Sequence, residues 1–228
     1  MSAIGTLREG PLHAALKQQY AEARDRFEVP VDGYVIDIVR GELLIEIQTQ
    51  SFSSIARKLR DLVERHRVRL VHPVAAERWL VKLPRKGEAG LTRRRSPKHG
   101  GFEGVFEELV SLPDLLAHEN FELEILATRE EEVRRFDGRR GRSRGGWVVV
   151  ERRLIEIADR RLIREARDLL ELLPSDLPDP FQTAELAAAL SRPRWLAQKA
   201  AYCLRESGAV TQVGKTGNAL LYSRFATG

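Results

Sequence analysis

Two short runs, Tyr34 to Val39 and Glu42 to Thr49, stand either side of Arg40-Gly41 and are dominated by Ile, Leu and Val. β-Rich runs split by a two-residue turn predict a hairpin. Strands apolar on both sides leave no face for water. Yet this hairpin, "DIVRGELLIEIQTQ", also carries Asp37, Glu46 and Gln48. Helical patterns flank it. Pro11 at an early helical position, followed by Leu12, Ala15, Leu16, Gln19 and Tyr20, predicts a helix running to about Arg26. "VPVDG" then reads as a break. After the hairpin, "SSIARKLRDLVERH" predicts a second helix, capped by Ser53 or Ser54, whose face of Ile55, Leu59, Leu62 and Val63 should pack on the hairpin. "VRLVHP" and "ERWLVKL" read as two strands separated at Pro73, "FEGVFEELVSLPDLL" as helix, "FELEILAT" as a strand, "GWVVVERRLIEI" as one or two more, and "REARDLLELL" as a closing helix. The alternation predicts an α/β (α+β) domain with a mixed central sheet flanked by helices.

The chain has 228 residues, 43% of them hydrophobic, which is enough for one substantial core and a second, smaller one. Its single cysteine, Cys203, excludes an intramolecular disulfide, and no Cys/His quartet predicts a zinc site. No apolar run approaches the roughly 20 residues that span a bilayer, and the N-terminus lacks the apolar segment of a signal peptide. A soluble cytoplasmic protein is expected. The net charge is only +5, but the basic residues cluster in "RKGEAGLTRRRSPKHGG" and "RRFDGRRGRSRGG". Clustered guanidinium groups suit phosphate backbones, where each neutralised phosphate releases counterions.

"LPSDLPDPF", Leu173 to Phe181, reads as a linker and divides the chain into residues 1–173 and 174–228. In the second part Thr183 can cap a short helix, and Pro193 starts another that Gly208 stops. On the longer helix Leu196, Ala200, Cys203, Leu204 and Ser207 fall on one side and Arg194, Gln198, Ala201 and Arg205 on the other. Two short strands follow around a turn from Gly214 to Asn218, with Lys215 at its tip. This part resembles a winged helix-turn-helix domain. The resemblance implies DNA binding, with Arg194, Gln198 and Arg205 facing the groove and Lys199, Tyr202 and Lys215 touching phosphates.

If Arg40-Gly41 form the hairpin turn, Val39 faces Glu42, Asp37 faces Leu44 and Val35 faces Glu46. Asp37 and Glu46 then become diagonal neighbours on the face of Leu44 and Gln48, with Cβ atoms roughly 7 Å apart. Ile36, Ile38, Leu43, Ile45 and Ile47 fill the other face. Two half-buried carboxylates repel and lose hydration, so they need protonation, a basic partner or a divalent cation. Hard oxygen ligands with positions left for water suit Mg²⁺.

Asp37, an eight-residue gap, Glu46, one residue and Gln48, with a helix upstream and "FSSIARKL" downstream, resemble the PD-(D/E)xK nuclease superfamily, the restriction endonuclease-like fold. The resemblance covers roughly the first 170 residues. It implies a mixed four-stranded core sheet flanked by helices and metal-dependent hydrolysis of DNA phosphodiesters. Asp37, Glu46 and the Ile47 carbonyl would be ligands for Mg²⁺ or Mn²⁺, with Glu9 as an additional carboxylate ahead of the less favoured Glu22. Gln48 holds the position usually occupied by lysine. A neutral amide can orient water but cannot offset charge, so Lys58 or Lys82 is expected to supply the cation from a neighbouring element. Arg93, Arg94, Arg95 and Lys98 would clamp phosphates. His13, His66, His72, His99 and His118 form no nucleophile pattern, although His99 can reach phosphate. "VGKTGN" lacks the strand-to-helix context of a phosphate loop, so no nucleotide cofactor is indicated. The sequence reads as a DNA endonuclease acting on duplex DNA, as a homodimer if it cuts both strands or as a monomer if it nicks. The alternatives are a non-catalytic DNA-binding regulator on a degenerate nuclease fold and a junction or repair nuclease of the same fold.

Overall fold

The computed structural model describes residues 10–85, 89–138 and 145–224. Helix α1 (Pro11–Tyr20) leads into strands β1 (Arg26–Val31), β2 (Tyr34–Arg40) and β3 (Leu43–Ile47); helix α2 (Ala56–Val63) and strand β4 (Arg67–Lys82) follow. Strand β5 (Thr92–Arg95), helix α3 (Phe106–Leu109), strands β6 (Phe121–Phe136) and β7 (Trp147–Ile163), helices α4 (Thr183–Ala189) and α5 (Arg194–Glu206), and strands β8 (Thr211–Thr216) and β9 (Ala219–Ser223) complete the chain. Strands β1 to β7 make one mixed sheet in the order β1-β2-β3-β4-β6-β7. β3, β4 and β6 run parallel, the remaining neighbours are antiparallel, and β5 pairs with the far half of β4.

Helices cover both faces near β3. On one face Leu12, Leu16 and Tyr20 of α1 pack on Ile38, Ile45, Ile47, Val71 and Leu126. On the other, Leu59, Leu62 and Val63 of α2 join Leu44, Val68, Leu70 and Phe106 in a larger core that continues to Leu196, Ala200 and Leu204 of α5. Leu173, Leu177 and Phe181, from the stretch expected as a linker, are buried in the same core. The sheet is therefore apolar on both sides only where helices cover it. Along β6 the buried positions Glu122, Glu124, Glu130 and Glu132 interrupt the apolar pattern. Arg69 holds two of them, reaching Glu122 at 2.6 Å and Glu124 at 3.3 Å, and also donates to the Tyr20 hydroxyl at 2.8 Å.

Several expectations change. The first helix stops at Tyr20, and the stretch expected as its end and a break contains β1. Pro30 hid that strand, and it is tolerated because β1 is a sheet edge pairing only with β2. The hairpin turn is Gly41-Glu42, not Arg40-Gly41, because Arg40 pairs with Leu43 and Val39 with Leu44. Gly41 holds φ +59, the left-handed value a tight hairpin turn requires of its first central residue. Pro73 does not split β4. It lies beyond the last β3 pair, Ile47 with Val71, and before the first β5 pair at Trp79, so no neighbour needs the N–H it lacks. "FEGVFEELVSLPDLL" and "REARDLLELL" form mostly 3₁₀ turns rather than long helices.

The stretch expected to be a basic loop contains β5, and the segment after it is pressed on β4: the Gly100 N–H donates to the Ala76 carbonyl at 3.0 Å. A Cβ at Gly100 would stand 2.3 Å from the Ala75 carbonyl oxygen, a contact only backbone movement can relieve. Gly100→Ala is expected to lower the urea midpoint by the equivalent of about 1–3 kcal/mol, the usual cost of overpacking; an unchanged midpoint would show that the segment is free to lift off.

Candidate active site

The β2 ladder skips Asp37 on both sides. Its neighbours on β1, Phe27 and Val29, pair with Ile38 and Ile36, Glu28 between them holds φ +51, and the β2–β3 pairing ends at Ile38 with Ile45. Ile36 consequently packs in the larger core and Ile38 in the smaller, contrary to the shared face expected for them. The local irregularity turns the Asp37 carboxylate inward, where its Oδ2 accepts the Ile47 backbone N–H at 2.8 Å. Extending the observed register sets Asp37 directly opposite Glu46 instead of on the diagonal. Both carboxyls line one cavity, Asp37 meeting His13 and Lys17 of α1 and Glu46 meeting Lys58 of α2.

That cavity, of about 330 Å³, is lined by Asp37, Glu46, Ile47 and Gln48 from the hairpin and by His13 and Lys17 from α1. His13 Nε2 lies 3.2 Å from Asp37 Oδ2 and, facing a carboxylate, acts as the donor; Lys17 Nζ lies 3.8 Å from Oδ1. Lys17 also pairs with Glu28. Glu46 is only 6% exposed. Lys58 Nζ, on α2, stands 2.6 Å from Glu46 Oε1 and also donates to the Val35 carbonyl at 2.5 Å.

These surroundings separate the two carboxyls. Burial alone would raise Asp37, but the His13 hydrogen bond and charge, the Ile47 amide and Lys17 together hold it below the usual carboxylate range. Glu46 is pushed up to about 7, first by burial and then by the Asp37 charge, against the pull of Lys58. Protonation and basic partners, two of the three compensations expected from the sequence, are thus both at work.

Gln48 lines the cavity too, but its amide is engaged with the following loop. Its Nε2 donates to Ser54 Oγ at 3.0 Å and its Oε1 accepts from the Gln50 N–H at 3.2 Å. Behind it, His72 Nδ1 donates to the Gln48 carbonyl at 2.6 Å. Burial lowers the His72 pKa to about 4, so the ring is neutral and Nε2 carries a lone pair.

Other expected site residues lie elsewhere. Glu9 is outside the described residues. Glu22 pairs with Arg40 at 2.6 Å, and Lys82 sits over the Trp147 ring. Arg93 and Arg95 belong to strand β5 and are paired with Glu131 at 2.7 Å and Glu77 at 2.8 Å; Arg94 lies between them, exposed. On α5, Arg194 and Gln198 are exposed as expected, whereas Ala201 is buried. Lys199 donates to the Glu107 carbonyl at 2.9 Å, and Arg205 pairs with Glu206 and lies 5.9 Å from the Tyr202 ring centroid. Lys215 is exposed but lies within β8, paired with Leu220, because the turn is Gly217-Asn218. The sequence reading missed His13 and Lys17 as site residues. Their i, i+4 spacing sets them on one face of α1, a signal that could have marked them together.

A family model described as a domain of unknown function (DUF8091) matches residues 10–164. The chain belongs to this family. The DUF8091 match runs from just before α1 to the end of β7 and so contains the whole carboxylate cavity. An uncharacterized protein of Treponema pallidum (strain Nichols) is 33% identical over 229 aligned residues, covering 99% of this chain and 89% of that protein. No solved structure matches. Among the described residues no helix is long and apolar enough to cross a membrane, and no group of three or more His, Cys, Asp or Glu side chains is placed to hold a metal.

The raised Glu46 pKa has a signed consequence. The folded state keeps this proton up to about pH 7, whereas the unfolded chain releases it near 4.5, so its contribution is full below 4.5 and is lost as pH rises through 7. Glu46→Gln, uncharged throughout, is expected to gain on the order of 2 kcal/mol over the native protein at pH 8 and little at pH 5. Urea unfolding at both pH values measures the difference; an equal gain at each would mean that Glu46 ionises normally.

Proposed function

We propose that the protein is a metal-dependent DNA endonuclease with a restriction endonuclease-like core and a winged helix at its C-terminal end. One observation carries the reading. Asp37 and Glu46, on neighbouring strands, line one cavity of about 330 Å³ together with Ile47 and Gln48. Support also comes from the surrounding frame: a mixed four-stranded unit, β1 to β4, with α1 on one face and α2 on the other. For the C-terminal part it comes from α4, α5 and the β8–β9 hairpin, with Phe181 bridging Tyr222 of β9.

The donors present suit a hard cation. Asp37, Glu46 and the Ile47 carbonyl would hold Mg²⁺ or Mn²⁺, whose chemistry is to activate water and polarise a phosphodiester. The protein groups have separate tasks. The Ile47 amide and His13 fix the Asp37 carboxylate in one orientation and keep it ionised. Lys58 brings to Glu46 the positive charge that Gln48 lacks, and can offset charge gathering on phosphate. Gln48, tied to Ser54 and Gln50, acts by holding the loop at the cavity mouth.

Supercoiled plasmid incubated with Mg²⁺ or Mn²⁺ tests the reading. Conversion to nicked or linear form is expected, with none for Asp37→Ala and a rate about 10²-fold lower for Lys58→Ala, the usual loss on removing one charge-stabilising donor. DNA binding that needs no divalent ion and is never followed by conversion would identify a non-catalytic DNA-binding regulator instead.

A further inference from the structure

A second, larger cleft of about 940 Å³ adjoins the carboxylate cavity, and Thr49 and Gln50 line both. One wall comes from the sheet and the segment pressed on it, the other from α3 and the start of α5. Its charges are sorted by wall. The sheet side carries Arg78 of β4, Arg152 of β7 and Lys98; the helix side carries Glu107 and Glu108. Arg78 Nε is a buried donor with no acceptor among the described residues, while the Nη1 of the same guanidinium lies 3.5 Å from Glu132; Arg152 donates to the Thr49 carbonyl and lies 3.8 Å from Glu130. Glu103, also in the cleft, is neutralised by Arg192 at 2.6 Å. Trp195, 48% exposed, closes the helix wall.

We infer that this cleft holds an unpaired stretch of the DNA strand next to the scissile phosphate, so that the preferred substrates are flapped or single-stranded DNA and not continuous duplex. The inference rests on the reading of the carboxylate cavity as a phosphodiester-cleaving site. A concave trough with cations along one wall and an aromatic ring on the other matches a single strand, whose phosphates follow the cations while its bases stack. Carboxylates on the base side fit as well, because the amino groups of cytosine and adenine are donors once the pairing partner is gone. A duplex keeps its base faces stacked and presents only edges in its grooves, so it can use neither the Trp195 ring nor the trough. The outward face of α5 agrees. It exposes Trp195 and Tyr202 beside Arg194 and Gln198, while Lys199 donates to the Glu107 carbonyl and Arg205 pairs with Glu206.

Binding of fluorescein-labelled single-stranded, flapped and blunt duplex DNA of equal length to the full chain in EDTA tests the cleft without any cleavage. Tenfold or tighter binding of the flapped and single-stranded forms is expected. Trp195→Ala should reduce that preference about tenfold, and Lys98→Glu should weaken the same forms while thermal midpoints stay unchanged. Equal affinity for all three DNAs, or a preference that survives both substitutions, overturns the inference. Cleavage is then followed with Mn²⁺ on the same DNAs. Asp37-dependent cutting of blunt duplex without single-strand preference removes the cleft assignment and leaves the nuclease reading, whereas preferential single-strand binding with no cutting of any DNA removes the nuclease reading and leaves the strand in the cleft.

Discussion

The hydrogen bond from the Ile47 amide to the Asp37 carboxylate stands where a ladder bond between β2 and β3 would otherwise continue. Replacing a carbonyl acceptor by a carboxylate makes the bond charge-assisted and brings a negative charge into the sheet. The neighbouring arrangement follows from that charge. α1 presents His13 and Lys17 to it, and Glu46 across the hairpin is pushed toward its neutral form by burial and by the Asp37 charge. The hairpin thus carries structure and candidate chemistry through the same contact.

Buried acids recur along the sheet, but most are differently compensated. Glu122 and Glu124 are held by Arg69, and Glu132 by Arg134. Such pairs offset desolvation with direct charge contacts and are matters of fold. Glu46 differs because it shares its cavity with a second carboxylate, Asp37, whose charge adds to burial in pushing it toward its neutral form. Two carboxyls facing one cavity are where a cation has most to gain. That pairing of acids separates the candidate site from the ion-pair rows of β6.

Much of the framework was legible. Periodicity located α1, α2, the hairpin and α5, and Asp37, Glu46 and Gln48 line one cavity, although the break in the ladder at Asp37 and not strand alternation brings the first of them there. The error itself came from assigning Gly41 to the second turn position when its positive φ belongs to the first. β1 and the continuity of β4 were concealed by Pro30 and Pro73, whose missing N–H matters only where a neighbouring strand would accept from it. The strand at Arg93–Arg95 was hidden for another reason: charge clustering in sequence says nothing of the glutamates on neighbouring strands that pair with it.

What the sequence determined alone was local: strand and helix patterns, two acids on one hairpin, and a surplus of cations. Tertiary structure decided which cations meet which acids. His13 reaches Asp37 from another helix, Lys58 reaches Glu46 from across the opposite core, and Trp195 closes a cleft begun by β4. Coulomb and hydrogen-bond interactions act over a few ångströms in space, whatever the separation along the chain, so these meetings existed only once both faces of the sheet were packed.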